Sequence, residues 1–451
     1  MTPRPALVLL ALFALLPSPR SATAAEPPSR PNIVLIISDD QAWTDYGFMG
    51  HPVLRTPHLD RLAASGALFR RAYVPTALCR PSLASIVTGL FPHQHGITGN
   101  DPSPSLAPPG SPEYAGLRER LISKMDRHPT LPGLLGEVGY LSHQSGKWWE
   151  GSYRRGGFSH GMTRGFPEPG GRHGDDGLAI GRQGLQPIQD FIDHATREGR
   201  PFFVWYAPFL PHTPHNPPER FLARYRSAVP FLPIARYYAM CEWFDDTLGQ
   251  LLELLDRRGL SDNTLVAYVG DNGWIQDPHG TGFAPRSKQS AHEGGIRQPI
   301  LLRWPAAIRP QVRDDLVSSL DLMPTLLRAA GARVPEALPG LDLLPALRDD
   351  TPLPRDAIFG EGFAHDIADL DRPEVTLLYR WIIEGRWKLL LTHDGRLGRY
   401  AAVHPRTERG PQLFDLLTDP HEHTNLAERE PDRVARLAER IARWWPVSPT
   451  P

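Results

Sequence analysis

Three stretches of this sequence place polar side chains directly behind apolar runs. Residues 33–37 lead into Ser38-Asp39-Asp40, residues 202–206 into Pro211-His212-Thr213-Pro214-His215, and residues 265–269 into Gly270-Asp271-Asn272-Gly273. Any one of these tails alone reads as an ordinary turn, because Asp, Asn and Pro favour turns. Three of them behind strands favour a site. Asp39, Asp40, Asp271 and Asn272 offer only oxygen donors, a set that selects a hard cation over zinc. Calcium, which accepts irregular geometry and more ligands, fits it better than magnesium. Adjacent carboxylates at 39 and 40 repel each other unless a cation or a basic group lies beside them. Cys79 opens the run CRPSLASIVTG, where a helix start favours an anion. A cysteine there reads three ways: a nucleophile of depressed pKa, a redox sensor, or a small buried residue. Cys241, within RYYAMCEWFDDTLGQLLELL, reads as a buried hydrophobe of an amphipathic helix.

Bringing the three tails together is the task of the elements between them. Residues 33–37 are a continuous apolar run, as in a strand buried on both faces. A helix is predicted over 56–65, with Thr56 as cap and Pro57 at its first position. A strand follows over 67–74, then a short helix from Cys79 that Gly89 closes. LPGLLGEVGY reads as a helix, YLSHQSGKWW as the strand after it, and residues 237–258 as a long helix. NTLVAYVGDNG and PILLRWP supply further apolar strands. The alternation predicts an α/β fold: a large, mostly parallel sheet flanked by helices, with ligands bound beyond the strands' carboxyl ends. Past about residue 350, short strands in IFGEGF, LLYRWIIEGRWKLLLTH and PQLFDLLTD precede a helix over 430–445. These predict a smaller C-terminal α+β subdomain, residues 351–451, behind a catalytic domain of residues 26–350. The segment 151–184 is rich in Gly, Arg and His without periodicity and reads as a binding loop.

The chain has 451 residues and a formal net charge of -1, which points to neither nucleic acid nor an anionic membrane as partner. Residues 1–25 read as a signal peptide: an Arg, an apolar run over 6–16, and small residues at Ala22, Ala24 and Ala25. That run is short for a bilayer span, and no later segment is long and apolar enough, so no stable membrane anchor is expected. The expected location is secreted or periplasmic. With two cysteines only, the core rather than disulfides must hold the fold.

Taken in order, PNIVLIISDD, CRPSLASIVTG with FPHQHG, GKW, PHTPH, GLSDNTLVAYVGDNG, SKQSAHEGGIRQP and LFDLLTDPHEHTNLA resemble the type I, arylsulfatase A-like sulfatases of the alkaline-phosphatase-like superfamily. The resemblance covers nearly the whole chain after the signal peptide. It implies that a maturation enzyme oxidises Cys79 to formylglycine. One hydroxyl of the hydrated aldehyde would attack the sulfur of a sulfate ester, and the other would then expel sulfate. It further implies metal ligation by Asp39, Asp40, Asp271, Asn272 and the converted Cys79. Lys147 and Lys288 match the family's sulfate-binding lysines, and His212 the histidine near the leaving oxygen. The substrate implied is a sulfated small molecule or saccharide. Trp43, His51, Trp149, Trp274 and His279 lie near the motifs, and such aromatic faces suit a sulfated sugar.

Two positions depart from the family pattern. Leu83 stands where the Cys-X-Pro-X-Arg motif has Arg, and Trp149 where Gly-Lys-Trp-His has His. Arg172 and His173 of the Gly-rich segment are the first candidates to replace them, and with Trp149 to meet substrate. Two alternatives follow: a phosphoester or phosphonate hydrolase on the same fold, and a sulfatase-like binding protein with impaired catalysis.

Overall fold

A computed structural model of the chain describes residues 30–393 and 410–447. The predicted signal peptide lies outside the described residues.

The main sheet has eight strands: β1 (Asn32–Ser38), β2 (Ala67–Phe69), β3 (Leu141–Gly146), β4 (His160–Gly161), β5 (Phe202–Ala207), β6 (Thr264–Gly270), β7 (Ile300–Arg303) and β8 (Gln311–Arg313). Their order is β8-β2-β7-β6-β1-β5-β3-β4. All pairings are parallel except those of β7, which runs antiparallel to β2 and β6. The apolar run of β1 is explained by its central place: it lies between β6 and β5 and is buried on both faces. Ile33, Leu35 and Ile37 enter one core, Val34 and Ile36 the other. The first core takes the helix α2 (Cys79–Thr88) through Leu83, Ile86 and Val87. The second takes the helix α4 (Leu232–Arg257) through Tyr237, Met240, Cys241, Phe244 and Leu248, so Cys241 is a buried core residue. Helices α1 (Pro57–Ala64) and α3 (Gln186–Arg197) complete that layer.

Register decides where the polar tails go. Ser38 pairs with Gly270 and Ile36 with Tyr206, and Asp39 bridges Pro211. The three tails therefore meet at the carboxyl edge of three adjacent parallel strands.

Two sequence-based expectations need correction. The strand expected over 67–74 is two pieces. β2 joins the main sheet, whereas Ala72–Tyr73 pairs with Val317–Ser318. The break falls at Arg70 and Arg71, whose guanidiniums reach the Asp314 carboxylate and the Gly385 carbonyl. The long helix begins at Leu232 rather than 237, because Pro233 suits a first helical turn. The Gly-rich segment is mostly turns, with β4 and one 3-10 turn, Asp175–Ala179.

The C-terminal part is a four-stranded antiparallel sheet of β9 (Ala357–Phe363), β10 (Leu377–Glu384), β11 (Trp387–Thr392) and β12 (Gln412–Asp415). Helix α5 (Pro431–Trp444) covers it with Leu437 and Ile441. A buried polar knot fastens it to the main body. Lys388 of β11 lies 3.2 Å from Glu293 Oε1 and 2.8 Å from Glu422 Oε1, and Tyr73 donates to Glu293 Oε2 at 3.1 Å.

Candidate active site

The edge of β1 turns abruptly at Asp40, whose φ of +65° is left-handed and uncommon for a residue with a Cβ. That turn is held from β6: Asp40 N donates to Asp271 Oδ1 at 3.0 Å, and Asn272 Nδ2 donates to Asp40 Oδ1 at 2.7 Å. At the end of β3, Gly146 has φ +86°, and a Cβ there would sit 1.9 Å from the Ala207 carbonyl oxygen. Only glycine fits, and the strand alternation ends there. Lys147, the next residue, then reaches Asp39 with Nζ 2.8 Å from both carboxylate oxygens. Lys288 Nζ lies 2.7 Å from Asp40 Oδ2.

Cys79 is the first residue of α2. Its Sγ lies 3.9 Å from Asp39 Oδ1 and 4.0 Å from Asp40 Oδ1. His212 Nε2 lies 3.4 Å from Asp40 Oδ2. Its Nδ1 lies 2.6 Å from the Thr213 carbonyl, which assigns a proton to Nδ1. Nε2 therefore presents a proton only when the ring is cationic. Potential ligand atoms of Asp39, Asp40, Cys79 and His212 all lie within 4.8 Å of one another. Asp271 Oδ2 and Asn272 Oδ1 are buried at the same cluster without a hydrogen-bond partner among the described residues. Orphaned buried oxygens are costly unless something else meets them. Three carboxylates, two unsatisfied oxygens and no competing soft donor but Cys79 fit a hard cation. The eight residues Asp39, Asp40, Cys79, Lys147, His212, Asp271, Asn272 and Lys288 are thus brought together at one sheet edge.

The titrations follow from this crowding. Burial raises the Asp39 carboxyl, but Lys147, His212 and Lys288 outweigh it and hold Asp39 below the usual carboxylate range. Asp271 is pushed well up, by burial first and by Asp39 and Asp40. Burial lowers the two lysines, yet Asp39 and Asp40 override it and keep Lys147 and Lys288 charged. Burial lowers His212, opposed by Asp39.

Arg172 and His173 take different positions. Arg172 donates twice to Asp101 Oδ2 and stacks 4.6 Å above the Trp149 ring, so its guanidinium is engaged by Asp101. His173 sits 5.2 Å from Trp149 and 5.4 Å from Phe209, at the mouth. Trp149 is buried among these groups, in the same core as Leu83. Sequence reasoning missed three contributors. Phe209 stacks on His212 at 4.3 Å, and Lys147 Nζ lies 5.5 Å from its ring. Tyr237 donates to Asp45 Oδ2 at 2.8 Å and lies 3.4 Å from the Asp40 carbonyl, backing the Asp40 turn. Arg80 forms a bidentate pair with Glu150 at 2.8 and 2.7 Å. The only signal for the last was a glutamate closing GKWWE and a basic residue beside the cysteine.

A doubly covered, largely parallel sheet with a hard-cation ligand set at its carboxyl edge, and a cysteine at a helix start facing that set, defines the alkaline-phosphatase-like class of hydrolases. The sulfatase profile matches residues 31–332, and the profile for N-sulphoglucosamine sulphohydrolase, C-terminal, matches residues 286–443. Arylsulfatase A of Bos taurus is 32% identical, across 89% of this chain and 84% of its own length. N-acetylgalactosamine-6-sulfatase of Homo sapiens is 33% identical, across 72% of this chain and 67% of its own. Among solved structures, Ps i-CgsB superposes with a TM-score of 0.72 at 25% identity, covering 92% of this chain and 93% of its own. The chain belongs to the sulfatase family and is a sulfuric ester hydrolase.

Proposed function

We propose that the chain removes sulfate from a saccharide, with formylglycine derived from Cys79 as nucleophile and a calcium ion held by Asp39, Asp40, Asp271 and Asn272. The observation that carries this reading is the contact of Cys79 Sγ with Asp39 and Asp40, beside the orphaned oxygens of Asp271 and Asn272. The cation would polarise sulfuryl oxygens, and formylglycine would supply a hydroxyl nucleophile. The chain's own residues do the rest. Lys147 and Lys288, charged on either side of Cys79, bind sulfate oxygens. His212, ring-stacked on Phe209, holds at Nε2 the proton that the leaving alcohol needs. Leu83 and Trp149 exclude water from the inner side.

Sulfate over phosphate is supported by the named sulfatase activities of the relatives. A saccharide is supported by the named activity of the galactosamine-sulfatase relative and by Ps i-CgsB, solved in complex with k-i-k-neocarrahexaose. Export after cleavage near Ala24 or Ala25 belongs to the same reading.

Mass spectrometry on protein made with a maturation enzyme tests it. The Cys79 peptide should be lighter by ~18 Da, as thiol becomes aldehyde. Chelation should remove activity, and calcium should restore it better than magnesium. An active protein with an intact Cys79 thiol would refute the nucleophile, and activity indifferent to chelators would refute the metal.

A further inference from the structure

We propose that the cavity beside the His212 loop is a subsite for a second acidic group on the saccharide, read by Arg236. This rests on the saccharide-sulfatase reading above. The cavity has a volume of about 520 Å³, and its lining includes Thr213, His215, Pro233, Arg236 and Thr281. Thr213 directly follows His212, so the cavity begins next to the proposed general acid.

The reason for an acidic group is Arg236 itself. Arginines nearby are occupied: Arg220 pairs with Asp246, Arg224 with Glu242 and Arg226 with Glu219. Arg236, exposed in the second turn of α4, has no ion pair or hydrogen-bonding partner among the described residues. Among the described residues no carboxylate lines the cavity. Asp277, in the adjoining turn, accepts from His279 N at 2.9 Å and makes no ion pair with Arg236. His215 is held neutral by burial, its pKa lowered to about 4, so among the described residues lining the cavity Arg236 carries the charge. A free guanidinium at a concave surface offers two parallel donors to a carboxylate or sulfate.

The reason for a sugar is the rest of the wall. The Thr213 and Thr281 hydroxyls suit ring hydroxyls. Phe231 and Leu232, 38% and 47% exposed, stand on the rim where α4 begins, and the His279 ring lies 5.1 Å from Phe231. Exposed apolar side chains beside a cavity with a few polar groups mark a surface for the flat faces of a ligand.

Calorimetric titration of the Cys79→Ala chain, which cannot turn over, tests the subsite. One probe is galactose 6-sulfate; the other is a disaccharide carrying the same sulfate and a uronate carboxylate. The uronate probe should bind at least tenfold more tightly. That ratio should fall to near one in Arg236→Ala, recover in part in Arg236→Lys, and reverse in Arg236→Glu. An unchanged ratio in Arg236→Ala would overturn the subsite while leaving the sulfatase reading in place. If the matured wild-type chain hydrolyses an aryl sulfate but neither saccharide, the saccharide reading fails and the subsite fails with it.

Discussion

The pair between Arg80 and Glu150 should be among the most costly contacts in the protein to break from one side. The two side chains are 1% and 3% exposed and meet through two hydrogen bonds of 2.8 and 2.7 Å. Arg80 also donates to the Asn100 carbonyl at 3.0 Å. In Glu150→Gln the guanidinium stays buried with its counter-charge gone. Breaking a buried pair in this way costs about 3–5 kcal/mol. Asp314→Asn is the control, because the Arg70–Asp314 pair is 46% and 57% exposed. Exposed pairs contribute about 0–1 kcal/mol and are screened by salt. Urea unfolding at low and high salt measures both. The reasoning also requires that Arg80→Met with Glu150→Leu recover most of the loss, since an apolar pair leaves no buried charge. Arg80 adjoins Cys79, and Glu150 closes the run from Lys147, so the single variant should also slow turnover by roughly tenfold or more through misplacement. A loss below about 1 kcal/mol, or a double variant no more stable than Glu150→Gln, would refute the argument.

Two pH predictions follow from other buried groups. In the proposed mechanism turnover needs a proton on His212 Nε2, and burial lowers that pKa from 6.5. The proposed cation would lower it further, so kcat/KM should fall as pH rises through a value below 6.5, and His212→Asn should abolish that limb. A limb unmoved in the variant would assign the proton elsewhere. Asp45 is raised from 3.8 to about 7, by burial first, against a hydrogen bond from Tyr237. The folded state holds this proton more tightly, so the stabilisation present below pH 3.8 is lost as pH rises through about 7. Asp45→Asn should therefore raise stability at pH 8, by about 1–3 kcal/mol, and change little at pH 4. An equal effect at both pH values would refute the assignment.

The fold was legible because β1 and β6 carry apolar runs too long and too unbroken for a strand with one wet face. Parallel neighbours for them then place their polar tails at a single edge. Part of the candidate site was legible for the same reason: Asp39-Asp40 and Asp271-Asn272 stand where apolar runs end, and His212 follows a third run closely. Contacts between segments far apart in sequence were not legible. Nothing local to Arg80 says that its partner is Glu150, 70 residues away, and nothing local to Tyr237 says that its hydroxyl backs the Asp40 turn. The break within residues 67–74 was missed because both halves favour extended backbone, and only the partners of Arg70 and Arg71 divide them.

Those contacts give physical content to the two departures from the family pattern. Leu83 lies one turn along α2 from Cys79 and is buried in the same core as Trp149. A charge at 83 would need a buried partner. Helix α2 already carries one buried guanidinium, that of Arg80, and Glu150 satisfies it. Arg80 and Arg172 both lie over the Trp149 ring, 5.9 and 4.6 Å from its centre, so the position holding His in the family pattern here meets two cations. Polar chemistry is thus displaced from the inner wall to an ion pair that fixes the start of α2 and a stack that closes its flank. The cationic groups left facing Cys79 are Lys147, Lys288 and protonated His212. With so few, stabilising a sulfuryl transition state would lean more heavily on the proposed cation.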